Sequence, residues 1–144
     1  MSQLSIIEKA FFLKKTSLFS ELDLDLLLAI ADKAEVQSYE SKEPIFSHNQ
    51  DAHRLYFIYK GKVDVLDSSE RPIATLENYD FFGDEALFAQ TPRHYATVAA
   101  APTHVLTLSR THLVQIMLES PHVALILLSA YASVTPFRKR NGKP

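Results

Sequence analysis

Asp80-Phe81-Phe82-Gly83-Asp84-Glu85-Ala86-Leu87-Phe88, a polar link Ala89-Gln90-Thr91, and then Pro92-Arg93-His94-Tyr95-Ala96-Thr97-Val98 form the stretch on which the reading of this chain turns. It holds one of only three glycines, two carboxylates directly after that glycine, and an arginine ten residues beyond it. A glycine that opens a short helix leaves backbone N–H groups pointing outward, which is what an anion such as a phosphate needs. Arg93 adds a permanent, fork-shaped positive charge for the same oxygens. The stretch also admits a plainer reading. Asp84 and Glu85 would complement a helix N-terminus, worth about 0.3–1 kcal/mol each when exposed, and Arg93 would pair with one of them at the surface.

Working outward, the chain of 144 residues suits one domain and is long enough to bury a core. A hydrophobic fraction of 47% and a charged fraction of 22% are those of an ordinary globular protein rather than a disordered one. The net charge of −2 supplies no global attraction to nucleic acid or anionic membrane, so direct nucleic-acid binding is not expected. With no cysteine there is no disulfide, thiolate nucleophile or cysteine metal site. The six histidines, at 48, 53, 94, 104, 112 and 122, lie apart, and no metal site is expected from them. The N-terminus lacks a basic signal-peptide head, and the longest apolar run, near Val123 to Ala132, falls short of the roughly 20 residues of a bilayer span. The expectation is a soluble, cytoplasmic protein.

Residues 5 to 13 carry helical spacing, with Ser5 as N-cap and Glu8 three residues on. A second helix is expected from near Leu24-Asp25 to Ala34, so dense in leucine that packing on more than one side is predicted. From Glu35 the texture becomes alternating and short. Leu55 to Tyr59 and Val63 to Val65 read as a hairpin turning at Lys60-Gly61, followed by Pro72 to Leu76, Ala96 to Ala100 and Thr103 to Leu108. Short strands with turn residues between them predict an antiparallel sandwich or barrel. Ser109 caps a helix over Thr111 to Leu118, and Ser120-Pro121 opens a last helix to about Val134, stopped by Pro136.

At Phe82-Gly83-Asp84-Glu85-Ala86-Leu87-Phe88, followed by Pro92-Arg93 and Ala96-Thr97-Val98, the chain resembles the phosphate-binding cassette of cyclic-nucleotide-binding domains. That module occurs in catabolite-activator-type regulators, regulatory subunits of cyclic-AMP-dependent kinase and cyclic-nucleotide-gated channels. Leu55-Tyr56-Phe57-Ile58-x-x-Gly61-x-Val63-x-Val65 is similar to the family's central hairpin, and Ile45-Phe46 to the strand before it. The resemblance implies a mainly β fold, an eight-stranded antiparallel jelly-roll barrel. It divides the single domain 1–144 into N-terminal helices (1–34), barrel (35–108, with the cassette at 80–98), two C-terminal helices (109–136) and a basic tail (137–144).

The resemblance further implies a non-enzymatic sensor that binds a cyclic nucleotide, cyclic AMP foremost and cyclic GMP second, with no cofactor. Movement of the C-terminal helices would relay binding to a protein effector, and those helices offer a homodimer face. The implied ligand-binding residues are Phe82, Gly83, Asp84, Glu85, Ala86, Leu87, Arg93, His94, Tyr95, Ala96 and Thr97. Gly83 would let the backbone approach the phosphate, the N–H groups of Glu85 and Ala86 would donate to it, and Arg93 would neutralise it, its replacement sparing the fold. Aromatic side chains cap the base in this family, and Tyr131 and Phe137 are the candidates; the favoured reading of Tyr131 is helix packing and of Phe137 a disordered tail. Three departures stand out. Asp84 replaces the usual glutamate that contacts the ribose 2′-hydroxyl, leaving Asp84 through a water, Glu85, or a weak sugar contact. Two residues, His94 and Tyr95, separate Arg93 from Ala96-Thr97-Val98 where the family has one. Either Arg93 is followed by a bulge, or His94 takes the arginine's place. Lys42 and Asn49 stand where turn glycines are common. These departures equally fit a ligand-free version of the fold that serves as an interaction or oligomerisation module. A cupin-like enzyme would need clustered histidines, which the spacing does not provide.

Overall fold

The computed structural model describes residues 4–134; the proline stop at 136, Phe137 and the basic tail lie outside the described residues. Two helices open the chain, α1 (Ile6–Lys14) and α2 (Leu24–Lys33). Ser5 closes a capping box on α1: its Oγ accepts from Glu8 N at 3.1 Å, and its own N–H donates to Glu8 Oε1 at 3.0 Å. Asp23 caps α2 by accepting from Leu26 N at 2.9 Å. The leucine density of this region resolves into different roles. Leu22 is buried in the turn before the helix, Leu27, Ile30 and Ala31 form its buried face, and Leu24 faces solvent.

Eight strands follow: β1 (Glu35–Tyr39), β2 (Pro44–Phe46), β3 (Arg54–Lys60), β4 (Val63–Leu66), β5 (Pro72–Leu76), β6 (Phe81–Phe82), β7 (Ala96–Ala99) and β8 (Thr103–Ser109). A short helix, α3 (Asp84–Ala89), is inserted between β6 and β7, and α4 (Arg110–Glu119) and α5 (Pro121–Val134) close the described chain. The pairing is nested. β1 lies on β8, β2 on β7, β3 on β6 and β4 on β5, all antiparallel. That long ribbon is then rolled so that β8 also pairs with β3 and β7 with β4, giving sheets β1-β8-β3-β6 and β2-β7-β4-β5. This is the winding of a jelly roll.

The strand β3 explains how helices and barrel are joined. Its residues Leu55, Tyr56, Phe57 and Ile58 are all buried, because each face has a cover. Tyr56 and Ile58 point into the barrel with Phe46, Val63, Phe82 and Val105. Leu55 and Phe57 point outward into a second core with Leu13, Phe19, Leu27, Ile30, Leu108 and Leu113. A strand covered on both faces loses strict polar alternation. Gly61, at φ 125°, turns β3 into β4 where a Cβ would run into Thr103 Oγ1 and the Pro102 carbonyl. Lys42 (φ 72°) and Asn49 (φ 68°) adopt the left-handed conformation at the positions of the absent glycines. Among the described residues no single helix is long and apolar enough to cross a membrane.

Candidate functional site

The cassette is built from three backbone decisions. β6 brings Phe82 onto Tyr56, ring on ring at 5.0 Å and 7°, and the chain then turns at Gly83 (φ 82°, ψ 8°) into α3. A Cβ at Gly83 would sit 2.9 Å from Arg93 Nη1 and 3.1 Å from the Tyr56 ring, so only glycine allows this approach. The helix lasts six residues and stops at Gln90 (φ 57°), where the Gln90 and Thr91 N–H groups both donate to the Ala86 carbonyl. Ala86 and Leu87 bury their side chains beneath it. The segment after α3 is then stitched to the loop following β2: Arg93 N donates to Gln50 O at 2.8 Å, and Asn49 N donates to Arg93 O at 2.9 Å.

This stitching turns Arg93 inward and His94 outward. Arg93 is 2% exposed; Nη1 donates to the Gly83 carbonyl at 2.5 Å and Nη2 to the Arg54 carbonyl at 2.7 Å. Its guanidinium lies 4.1 Å from the Phe46 ring centre, a cation–π contact. Burial lowers its pKa, opposed by Tyr56, Tyr95, Glu85 and Asp84. Arg93 is therefore a strut between β3 and the cassette, which departs from the expectation that its removal would spare the fold. His94 is exposed, with Nε2 3.2 Å from Thr91 Oγ1. The surplus residue is taken up in the bend at 94–95, before β7 begins at Ala96; the register shift in this pair of strands lies on β2, between Pro44 and Phe46.

Asp84 and Glu85 diverge. Asp84 is buried, and its Oδ2 accepts from the Tyr131 hydroxyl of α5 at 2.7 Å. Burial first, and the adjacent Glu85 second, raise the Asp84 carboxyl to about 6, although the Tyr131 bond holds it down. Glu85 is exposed and accepts from the Tyr95 hydroxyl at 2.8 and 3.1 Å. The same hydroxyl accepts from Gly83 N–H at 3.0 Å. Burial and Glu85 push the Tyr95 hydroxyl well above the usual tyrosine range, so it stays neutral. Ala96 is half-buried at the start of β7. Thr97, 1% exposed, is the register partner of Phe46 across the β2–β7 pair, and the Arg93 guanidinium lies over the Phe46 ring.

Two polar atoms here are buried without a hydrogen-bond partner, Arg93 Nε and Thr97 Oγ1. Of the residues expected from sequence, Phe82, Arg93 and Tyr95 gather around Gly83 and Phe46, Thr97 pairs with Phe46, Leu87 enters the helical core, and His94 is exposed. Sequence reasoning missed two contributors, the Arg54 carbonyl that holds Arg93 and the Phe46 ring that carries its charge. Tyr131, a candidate from the sequence, donates to Asp84, a partner 47 residues away that no local pattern announces. Beside the cassette, α3, α4 and α5 enclose a largely apolar groove of about 660 Å³, lined among others by Glu85, Phe88, Met117, Leu127 and Tyr131. No group of three metal-ligating side chains converges among the described residues.

Comparison with known proteins places this geometry. Residues 36–120, more than half of the chain, match the cyclic nucleotide-binding domain family. The cGMP-dependent protein kinase egl-4 of Caenorhabditis briggsae is 33% identical over 105 residues, 69% of this chain and 14% of the kinase. The cAMP-dependent protein kinase regulatory subunit of Eremothecium gossypii is 28% identical over 100 residues, 69% of this chain and 22% of the subunit. This chain thus spans less than a quarter of either relative. The N-terminal domain of a transcriptional regulator from Streptomyces coelicolor A3(2) superposes with a TM-score of 0.76 at 24% identity, covering 85% of this chain and 91% of that one. The chain belongs to the cyclic nucleotide-binding domain family.

Proposed function

We propose that the chain is a sensor that binds cyclic AMP, with cyclic GMP as the competing ligand, at residues 82–97. The observation that carries this reading is the pair of unpartnered buried atoms, Arg93 Nε and Thr97 Oγ1. Protein interiors satisfy nearly all buried polar atoms, and orphans concentrate where something else completes them. Both belong to residues that the cassette resemblance assigns to the ligand, Arg93 to its phosphate; Arg93 lies over the Phe46 ring, and Thr97 is the register partner of Phe46. Phosphate oxygens accept, so they complement a guanidinium N–H and a hydroxyl alike. Relay to a protein effector follows from the bond between Asp84 and Tyr131, because a ligand that reorients the start of α3 acts directly on α5.

A ligand-free interaction module is the second reading. It is favoured by side chains turned upon the protein itself: Arg93 on two carbonyls, Asp84 on Tyr131, Tyr95 on Gly83. Calorimetric titration of the chain with cyclic AMP and cyclic GMP, repeated on Thr97→Val, separates the two. The sensor reading expects saturable binding that weakens about tenfold or more in Thr97→Val, a loss of about 1.4 kcal/mol. The variant's melting temperature should not fall, because valine removes an unpaired buried hydroxyl at nearly constant volume. Absence of binding to the folded wild type at millimolar nucleotide would leave the interaction module standing.

A further inference from the structure

The head of the cassette offers a second subsite that differs in chemistry from the phosphate end. Gly83 presents an N–H, and Glu85 presents a carboxylate on the same side, bridged by a single oxygen atom 3.0 Å from the nitrogen and 2.8 Å from the nearer carboxylate oxygen. A group that sits between a donor and a carboxylate must accept from one and donate to the other. A hydroxyl does both; an anion is repelled by the carboxylate, and an ammonium cannot accept. The Gly83–Glu85 pair is thus a reader of hydroxyl groups, and the hydroxyl it holds is the protein's own, from Tyr95. The ring of Tyr95 is fixed against Phe46 at 5.5 Å, and its burial keeps the hydroxyl protonated. Asp84 offers no substitute carboxylate, since its Oδ2 accepts from Tyr131 at 2.7 Å inside the protein.

We infer that Tyr95 is a specificity-determining residue: its hydroxyl occupies the place of a ligand hydroxyl at Gly83 and Glu85, and so makes the cassette indifferent to the sugar's 2′-hydroxyl. A 3′,5′-cyclic nucleotide has one free sugar hydroxyl, at the 2′ position, so this is the group whose recognition Tyr95 replaces. The inference rests on the sensor reading above. Tyr95→Phe keeps the ring against Phe46 and frees both Gly83 N–H and Glu85. A site with an unpaired donor and acceptor rejects the ligand that lacks the matching group.

The test is calorimetric titration of wild type and Tyr95→Phe with cyclic AMP and with 2′-deoxy cyclic AMP. Wild type is expected to bind the two within about threefold, and Tyr95→Phe to prefer the 2′-hydroxyl form by about tenfold or more. Tyr95→Leu provides the same comparison should the phenylalanine variant not fold. If the ratio of affinities rises by less than about threefold in a variant that still binds, the inference is overturned and the sensor reading stands. If neither nucleotide binds wild type or variant, both fall together.

Discussion

At Asp84 a carboxylate is placed where its charge is least welcome. It opens α3, which favours a negative charge, yet it is buried, adjoins Glu85, and has Tyr131 as its hydroxyl donor. Burial and Glu85 prevail and raise the carboxyl to about 6. The folded protein therefore holds this proton to a higher pH than the unfolded chain does. The stability so contributed is complete below the ordinary aspartate range and is lost as pH rises through about 6. Asp84→Asn remains neutral and keeps an acceptor for Tyr131. It is expected to exceed wild type in stability by about 1–3 kcal/mol near pH 7.5, the gap closing as pH falls towards 4. Urea unfolding at both pH values checks this, and a gap independent of pH would refute it. The sequence named Asp84 as the anomalous residue but not its direction, because side-chain direction is decided by what packs above it. Motif spacing likewise gives two registers, and the Pro92-Arg93 pair favours Arg93 over His94. The backbone bonds of residue 93 to Asn49 and Gln50 select the side chain that turns in.

At the scale of elements, α5 is attached by a greasy face and one polar bond. Val123 and Leu127 enter the helical core, whereas Leu125 and Leu128 face solvent. Towards its C-terminal end, Tyr131 packs edge-on against Phe88 at 5.9 Å and donates to Asp84. Tyr131→Phe keeps the ring and removes the donor to a buried carboxylate, a loss of about 1–3 kcal/mol at neutral pH. Hydrogen exchange should quicken in the C-terminal half of α5 and in α3 while α1 and α2 stay protected. Equal acceleration in all four helices would mean that the bond has no local role. The caps of α1 and α4 were legible because capping is local: Ser5 and Ser109 each accept from a backbone N–H three residues on. The leucine density of α2 points to packing on more than one side, and Leu26, Leu27, Leu28, Ile30 and Ala31 all meet the helical core; what a one-dimensional pattern does not distinguish is Leu22 in a turn from Leu24 on an exposed face. The two-residue strand β6 carries no periodicity at all, and its pairing with Tyr56 and Phe57 is a tertiary fact.

For the molecule as a whole, β3 is the seam. One face of it, Tyr56 and Ile58, contributes to the barrel core and the other, Leu55 and Phe57, to the helical core, so neither core is complete without this strand. The nested strand pairing reinforces this, because β8 is held between β1 and β3 and brings the end of the barrel against the strand that both cores share. Helices and barrel should therefore unfold together. Phe57 probes the seam from the helical side: it is 1% exposed and touches Phe19 of the α1–α2 connection at 5.2 Å and Phe81 of β6 at 6.1 Å. Phe57→Ala deletes a ring packed against two separate segments, and is expected to cost about 3–5 kcal/mol. The informative quantity is where that loss is felt. If the seam couples both cores, amides of α2 and of β7, which lies in the sheet remote from Phe57, lose the same protection free energy in denaturant-dependent hydrogen exchange. Loss confined to α1 and α2, with β7 unchanged, would show instead that the helical element opens independently of the barrel, and a ligand at the cassette would then have no cooperative path to those helices.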